Sequence, residues 1–153
     1  MVEVMVAILI ITIAILPMAA MFTTGLDSIT KSSGYDKARA LANAQLEKGQ
    51  NLSKTTPAGW ATLNSTSFPV CAGGSGPTSM GSGNSTATNC TDPDAPGYTF
   101  DLKKQYFQFD PAGATGADLQ ILPSTTDQKM MQLTVTVRWQ GNSYKTTRMV
   151  FQA

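Results

Sequence analysis

Histidine is absent from this sequence of 153 residues, and only 14% of the residues are charged. The absence of histidine removes the commonest general base and the commonest metal ligand in proteins. A net charge of +1 gives no electrostatic case for a nucleic-acid partner. The sequence also contains no nucleophile–base constellation, phosphate loop or dinucleotide fingerprint. It therefore predicts a protein that is not an enzyme and that holds no cofactor and no metal.

Charge is also missing from most of the N-terminal region. After Glu3 no charged residue occurs until Asp27, and Val4 to Phe22 form one apolar run of nineteen residues. As a helix, this run is long enough to cross a bilayer core of about 30 Å. A secretory signal is usually shorter and follows basic residues, and a core helix is seldom apolar on every side. The run therefore favours a membrane anchor over residues 1–23.

The helical pattern continues beyond Phe22 with a thinner apolar stripe. Tyr35, Ala38, Ala42 and Leu46 recur at spacings of three or four residues. This spacing predicts an amphipathic continuation of the helix over residues 24–52. Gly49 is the predicted stop signal near the end of that segment.

Pro17 lies inside the apolar run. A proline within a helix removes one backbone hydrogen bond and clashes with the preceding turn. Two interpretations are open: a kink or locally unwound segment, or a proline that the membrane helix tolerates.

Residues 53–96 change in character to a stretch rich in Ser, Thr and Gly, with turn signals and without apolar periodicity. Cys71 and Cys90 are expected to pair, because an apolar export-like head suggests an oxidising exterior. Four apolar residues are expected to hold the first part of the stretch on a core: Trp60, Leu63, Phe68 and Val70.

Two further patterns in the chain have a functional and a plain interpretation. Tripeptides that begin at Asn51, Asn64, Asn84 and Asn89 fit the N-glycosylation pattern, but such tripeptides also occur by chance in a sequence of this composition. Asp92-Pro93-Asp94 offers carboxylates to calcium, but two acids fall short of a site, and a turn is the favoured interpretation.

Residues 97–153 carry the strand signals. The strongest is Met131–Trp139, in which Met131, Leu133, Val135, Val137 and Trp139 alternate with polar residues. Gln140-Gly141-Asn142 supplies a turn, and residues 143–151 return as a second strand. Shorter signals lie at 97–102, 105–109 and 118–122. The predicted fold class is α+β, with a long helix packed on an antiparallel sheet of about four strands.

The N-terminal sequence resembles that of mature type IV pilins and pseudopilins, the class with an N-terminal methylation motif. Met1-Val2-Glu3-Val4-Met5-Val6-Ala7 before an apolar run is similar to the Phe-Thr-Leu-Val/Ile-Glu motif of that family. Glu3 matches the family's acid when two residues precede Met1. The close resemblance covers about 22 residues, and the remainder agrees only in architecture. The family's cysteine pair brackets a segment near the C-terminus, whereas Cys71 and Cys90 precede the predicted sheet.

The resemblance implies roles for residues of the apolar run. Glu3 would form a charge pair with the N-terminal amine of a neighbouring subunit and set axial register. Pro17 would mark where the helix melts on assembly. The apolar assembly surface would include Val4, Val6, Ile8, Ile10, Ile11 and Ile15. The alternative for Glu3 is a solvated acid in the first turn of a helix, favoured modestly by the macrodipole.

The resemblance also implies a function and partners. The chain would polymerise with copies of itself into an extracellular filament for adhesion, surface motility or DNA uptake. Before assembly it would lie in the cytoplasmic membrane, and a prepilin peptidase and a cytoplasmic ATPase would serve its assembly. The alternatives are a minor pilin or type II secretion pseudopilin, and a membrane-anchored binding domain that never polymerises.

Overall fold

One helix occupies the first third of the chain. Helix α1 extends from Val2 to Thr55 in the computed structural model, which describes residues 2–55, 57–79, 84–110, 120–124 and 126–152. Gly49 does not stop this helix, so the predicted stop was wrong. Gly49 instead lies against the sheet, where a Cβ atom would come within 2.4 Å of Leu133 Cδ1. The glycine permits close packing between the helix and the sheet.

A second, short helix lies in the stretch that was predicted as a loop. Helix α2 runs from Pro57 to Asn64 and buries Trp60 and Leu63. Phe68 is also buried, which confirms three of the four residues expected on the core. Val70 is 83% exposed, and that expectation was wrong. The chain leaves the core after Pro69, so that Val70 lies at the rim of an open groove beside Leu52.

The sheet is antiparallel and has six strands within the described residues. Its elements are β1 (Ser75–Ser79), β2 (Ser85–Thr91), β3 (Thr99–Asp110), β4 (Gln120–Ser124), β5 (Met130–Trp139) and β6 (Asn142–Phe151). The strand order is β1-β2-β3-β5-β6, and β4 pairs with the end of β3. The α+β class is confirmed. The signals at 97–102 and 105–109 form one strand, β3, and the signal at 118–122 corresponds to β4, except that Asp118 and Leu119 lie outside the described residues. The two additional strands, β1 and β2, come from the Ser/Thr/Gly-rich stretch.

The hairpin of β5 and β6 follows its prediction closely. Trp139 pairs with Asn142 across a two-residue turn, in which Gln140 and Gly141 both have positive φ angles. That conformation gives the twist that two-residue hairpins require. The predicted inward set of β5, from Met131 to Trp139, is buried.

The chain divides into two compact units, residues 1–36 and residues 37–153. The second unit contains the hydrophobic core. Ala38, Leu41, Ala42 and Leu46 of α1 are buried in it with inward side chains of β3 and β5, including Phe100, Leu102, Leu133, Val135 and Val137. Apolar side chains spaced three or four residues apart on the helix therefore pack in one core with apolar side chains spaced two residues apart on the strands. Tyr35 lies outside this core and is 47% exposed.

Candidate assembly surface

Residues 2–22 of α1 present an apolar surface. Every large apolar side chain between Val2 and Phe22 is exposed, from 50% for Val6 to 76% for Met21. The proposed assembly residues all belong to this exposed segment: Val4, Val6, Ile8, Ile10, Ile11, Ile15 and Pro17. By length and composition, α1 is the one helix among the described residues that could cross a membrane. It could serve as an anchor.

The backbone is helical through Pro17. Residues on both sides of the proline belong to α1 without interruption. A kink or melted segment on assembly stays a prediction, since it concerns a state with neighbouring subunits.

Threonine hydroxyls in and near the apolar segment are satisfied within the helix. Thr12 Oγ1 donates to the carbonyl oxygens of Ile8 (2.9 Å) and Leu9 (3.0 Å), and Thr23 and Thr24 donate to that of Ala20 (2.9 Å each). A hydroxyl that bonds the preceding turn needs no outside partner in an apolar environment. These residues are therefore compatible with a span or with a packed helix bundle.

Charges mark the two ends of the apolar segment. Glu3 is exposed in the first turn of α1, where the helix dipole favours an acid. The next charges, Asp27 and Lys31, pair across one turn at 2.7 Å, and the hydrogen bond to Asp27 raises the pKa of Lys31. Glu3 is therefore an acid at the N-terminal end of a segment of about two dozen uncharged residues.

The predicted disulfide is present between Cys71 and Cys90. It joins the segment after α2 to strand β2, and Cys90 is fully buried. The two cysteines thus attach an otherwise polar segment to the core cluster.

The four glycosylation candidates have different environments. Asn64 Nδ2 donates to Asp127 Oδ2 at 3.2 Å, and its Oδ1 accepts from the Tyr106 hydroxyl. Asn84 Nδ2 donates to the Ser124 carbonyl oxygen at 3.2 Å, and its Oδ1 accepts from the backbone N–H of Tyr106 at 2.7 Å. Both amides are thus engaged in tertiary hydrogen bonds. Asn51 and Asn89 are exposed.

Asp92 has a structural role in its turn. Its Oδ1 accepts from the backbone N–H of Asp94 at 3.1 Å, and its Oδ2 accepts from Gln45 Nε2 at 3.0 Å. Lys48 Nζ lies 3.9 Å from the same Oδ2. Within the described part of the chain, no group of three His, Cys, Asp or Glu side chains could hold a metal ion.

A buried cation in the second unit was missed at the sequence level. Lys104 is fully buried on the inner face of β3, between Leu102 and Tyr106. Its Nζ donates to the carbonyl oxygens of Leu63 (2.7 Å), Ser65 (2.5 Å) and Phe68 (2.7 Å). Burial lowers the pKa of Lys104 to about 8. The alternation of Phe100, Leu102 and Tyr106 was the signal that could have placed Lys104 on this face.

Asp127 joins α2 to the segment before strand β5. Its Oδ2 accepts from Trp60 Nε1 at 2.9 Å as well as from Asn64, and its Oδ1 accepts from the backbone N–H of Lys129 at 2.8 Å. Trp139, the last residue of the predicted inward set of β5, is 5% exposed and stacks on Tyr98 with ring centroids 5.9 Å apart. This side chain is core.

Comparisons of the chain with protein-family models, with curated proteins and with solved structures found no match.

Proposed function

We propose that this chain is a structural subunit of an extracellular type IV pilus-like filament. One observation carries the proposal: the apolar segment Val2–Phe22 is exposed around its whole circumference, with one acid at its head. An uncovered apolar surface of this size in water is strongly unfavourable, since burial is worth about 25 cal/mol per Å². A bilayer can cover the segment before assembly, and neighbouring copies of the same helix can cover it afterwards.

The segment suits both environments for the same physical reason. Its backbone groups are satisfied within the helix, and its threonine hydroxyls bond the preceding turn. Glu3 is the residue that distinguishes an assembly surface from a plain anchor. In a bundle of apolar helices its carboxylate is costly unless it is paired, and a pair with the N-terminal amine of a neighbour would fix the axial position. Adhesion, surface motility and DNA uptake are the tasks such a filament would serve.

The proposal includes an assembly route. The chain is held in the cytoplasmic membrane, where a prepilin peptidase processes it. An ATPase-driven inner-membrane machine then transfers it to the filament. A minor pilin or secretion pseudopilin would share the same helix, and a membrane-anchored binding domain would share it without polymerising.

The test is a sheared-surface preparation from cells that make the full-length chain with its assembly machinery. We expect electron microscopy to reveal filaments whose dominant protein, identified by mass spectrometry, is this chain. A trace amount in such filaments would indicate a minor subunit. Complete retention in the membrane fraction after shearing would contradict the proposal and favour the non-polymerising anchor.

A matched pair of variants then tests Glu3. Glu3→Ala is expected to leave the membrane level of the subunit unchanged and to reduce filament yield at least tenfold. Glu47→Ala removes an exposed acid from the same helix and is expected to leave the yield unchanged. Equal yields from the two variants would contradict the register role of Glu3.

A further inference from the structure

Three backbone carbonyls in the second unit converge on one point. The carbonyl oxygens of Leu63, Ser65 and Phe68 lie 2.7, 2.5 and 2.7 Å from Lys104 Nζ. An ammonium group has three N–H donors and no acceptor, so each donor has one carbonyl. The segment between Leu63 and Phe68 therefore wraps a single cation with oxygen atoms of its own backbone.

The first of these carbonyls belongs to the end of a helix, and the other two follow that helix. Leu63 belongs to the last turn of α2, where carbonyl groups have no partner further along the helix. The backbone N–H of Ser65 donates to the carbonyls of Ala61 (2.9 Å) and Thr62 (3.2 Å). Lys104 Nζ donates to the next carbonyl, that of Leu63. The negative end of the helix dipole also favours a cation at this place.

The surroundings also supply partners for a positive charge. The Phe68 ring centroid lies 5.9 Å from Nζ, within the range of a cation–π contact. Among the residues that the structure describes, Lys104 forms no ion pair with a carboxylate. Backbone carbonyls and one ring thus supply the stabilisation that a buried charge requires.

We propose that residues 63–68 form a binding site for a monovalent cation of the size of ammonium, and that the protein fills this site permanently with the side chain of Lys104. Carbonyl cages of this kind replace the hydration shell of K⁺ in proteins that bind the ion. Because the side chain of Lys104 is a tether that carries the ammonium group into the site, no free ion is needed, and α2 is joined to strand β3. This inference does not depend on the proposed assembly role.

Removing the tether should expose the site to ions from solution. Lys104→Ala empties the cage and leaves three carbonyls unpaired, so we expect its unfolding midpoint to fall by about 5 °C or more. K⁺ or NH₄⁺ should then raise that midpoint progressively with concentration, because only the folded state binds the ion. Tetramethylammonium at equal ionic strength should not raise it, because this cation is too large and donates no hydrogen bond.

Lys104→Met is the matched control. Its side chain keeps most of the volume of lysine, so the cage has no room for an ion, while the carbonyls stay unpaired. We expect Lys104→Met to be destabilised like Lys104→Ala and to show no difference between K⁺, NH₄⁺ and tetramethylammonium. If Lys104→Ala also shows no difference among the three salts, the proposal is overturned.

A measurement on the wild-type chain covers the case in which Lys104→Ala does not fold in any salt. In ¹⁵N spectra of the full-length protein in detergent micelles at pH 6, three occupied N–H donors should give one slowly exchanging lysine ammonium signal. This signal should be missing from Lys104→Met. A wild-type spectrum without it would overturn the proposal.

Discussion

Gly49 of helix α1 lies directly against Leu133 of strand β5. A Cβ atom on Gly49 would be 2.4 Å from Leu133 Cδ1 and 3.4 Å from Phe68 Cε1. Leu133 is fully buried, so its side chain cannot move aside without disturbing the core. The missing side chain of Gly49 therefore sets the separation between the helix and the sheet.

Gly49→Ala is expected to destabilise the second unit by about 1–3 kcal/mol through overpacking, even though alanine favours the helix by about 1 kcal/mol. Gly25→Ala is the matched control, because a Cβ atom there meets nothing within 4 Å. It should stabilise the helix or leave it unchanged. Urea unfolding of the two full-length variants in detergent micelles measures both effects. A Gly49→Ala variant as stable as wild type would contradict the close packing.

Reduction of the disulfide is expected to lower the free energy of unfolding by about 3 kcal/mol. Cys71 and Cys90 are 19 residues apart, and opening a ring of this size returns loop entropy to the unfolded chain. Urea midpoints with and without reductant measure the effect. The double variant Cys71→Ala/Cys90→Ala should unfold at the lower midpoint in both conditions. A wild-type midpoint unchanged after complete reduction would contradict the prediction.

Any N-linked glycan is expected on Asn51 or Asn89. Both of these residues are exposed, whereas the Nδ2 groups of Asn64 and Asn84 donate tertiary hydrogen bonds, and a sugar on either Nδ2 would replace one of its two hydrogens and crowd the acceptor. In a glycosylated preparation, the intact mass should lose sugar in Asn51→Gln or Asn89→Gln and keep all of it in Asn64→Gln and Asn84→Gln. Loss of sugar in either of the last two variants would contradict this assignment.

Raising the pH from 8 to 10 is expected to stabilise the wild type relative to Lys104→Met. Burial lowers the pKa of Lys104 to about 8, against 10.5 for an ordinary lysine. Between these values the unfolded chain holds a proton that the folded chain has released, so the free energy of unfolding rises with pH. Since one pKa unit corresponds to about 1.4 kcal/mol, the gain over this pH range is about 2 kcal/mol.

Tyr106, whose pKa burial raises, titrates in both proteins and cancels in this comparison. Urea midpoints at pH 7, 8, 9 and 10 give the difference between wild type and Lys104→Met. Parallel pH profiles for the two proteins would contradict the lowered pKa of Lys104.

The polar stretch before the sheet was predicted least well. Strand β1 (Ser75–Ser79) and strand β2 (Ser85–Thr91) were expected as loop because their Ser, Thr and Gly residues give no apolar alternation. Strand β2 forms by backbone pairing with β3 and β1 by pairing with β2, and the disulfide holds the end of β2 in the core. Backbone hydrogen bonds carry no side-chain pattern, so the sequence could not reveal them.

Sequence alone determined the elements whose side chains repeat with a clear period. The uncharged run after Glu3, the stripe through Ala38 and Leu46, and the alternation of Met131–Trp139 predict the helix and its sheet, because one apolar face must be buried against another. Only the tertiary structure decided the partners of Gly49 and Lys104. Gly49 packs against a residue 84 positions away (133 − 49), and Lys104 bonds carbonyls 36 to 41 positions away. Such partners meet only after the chain has folded, so no local pattern can indicate them.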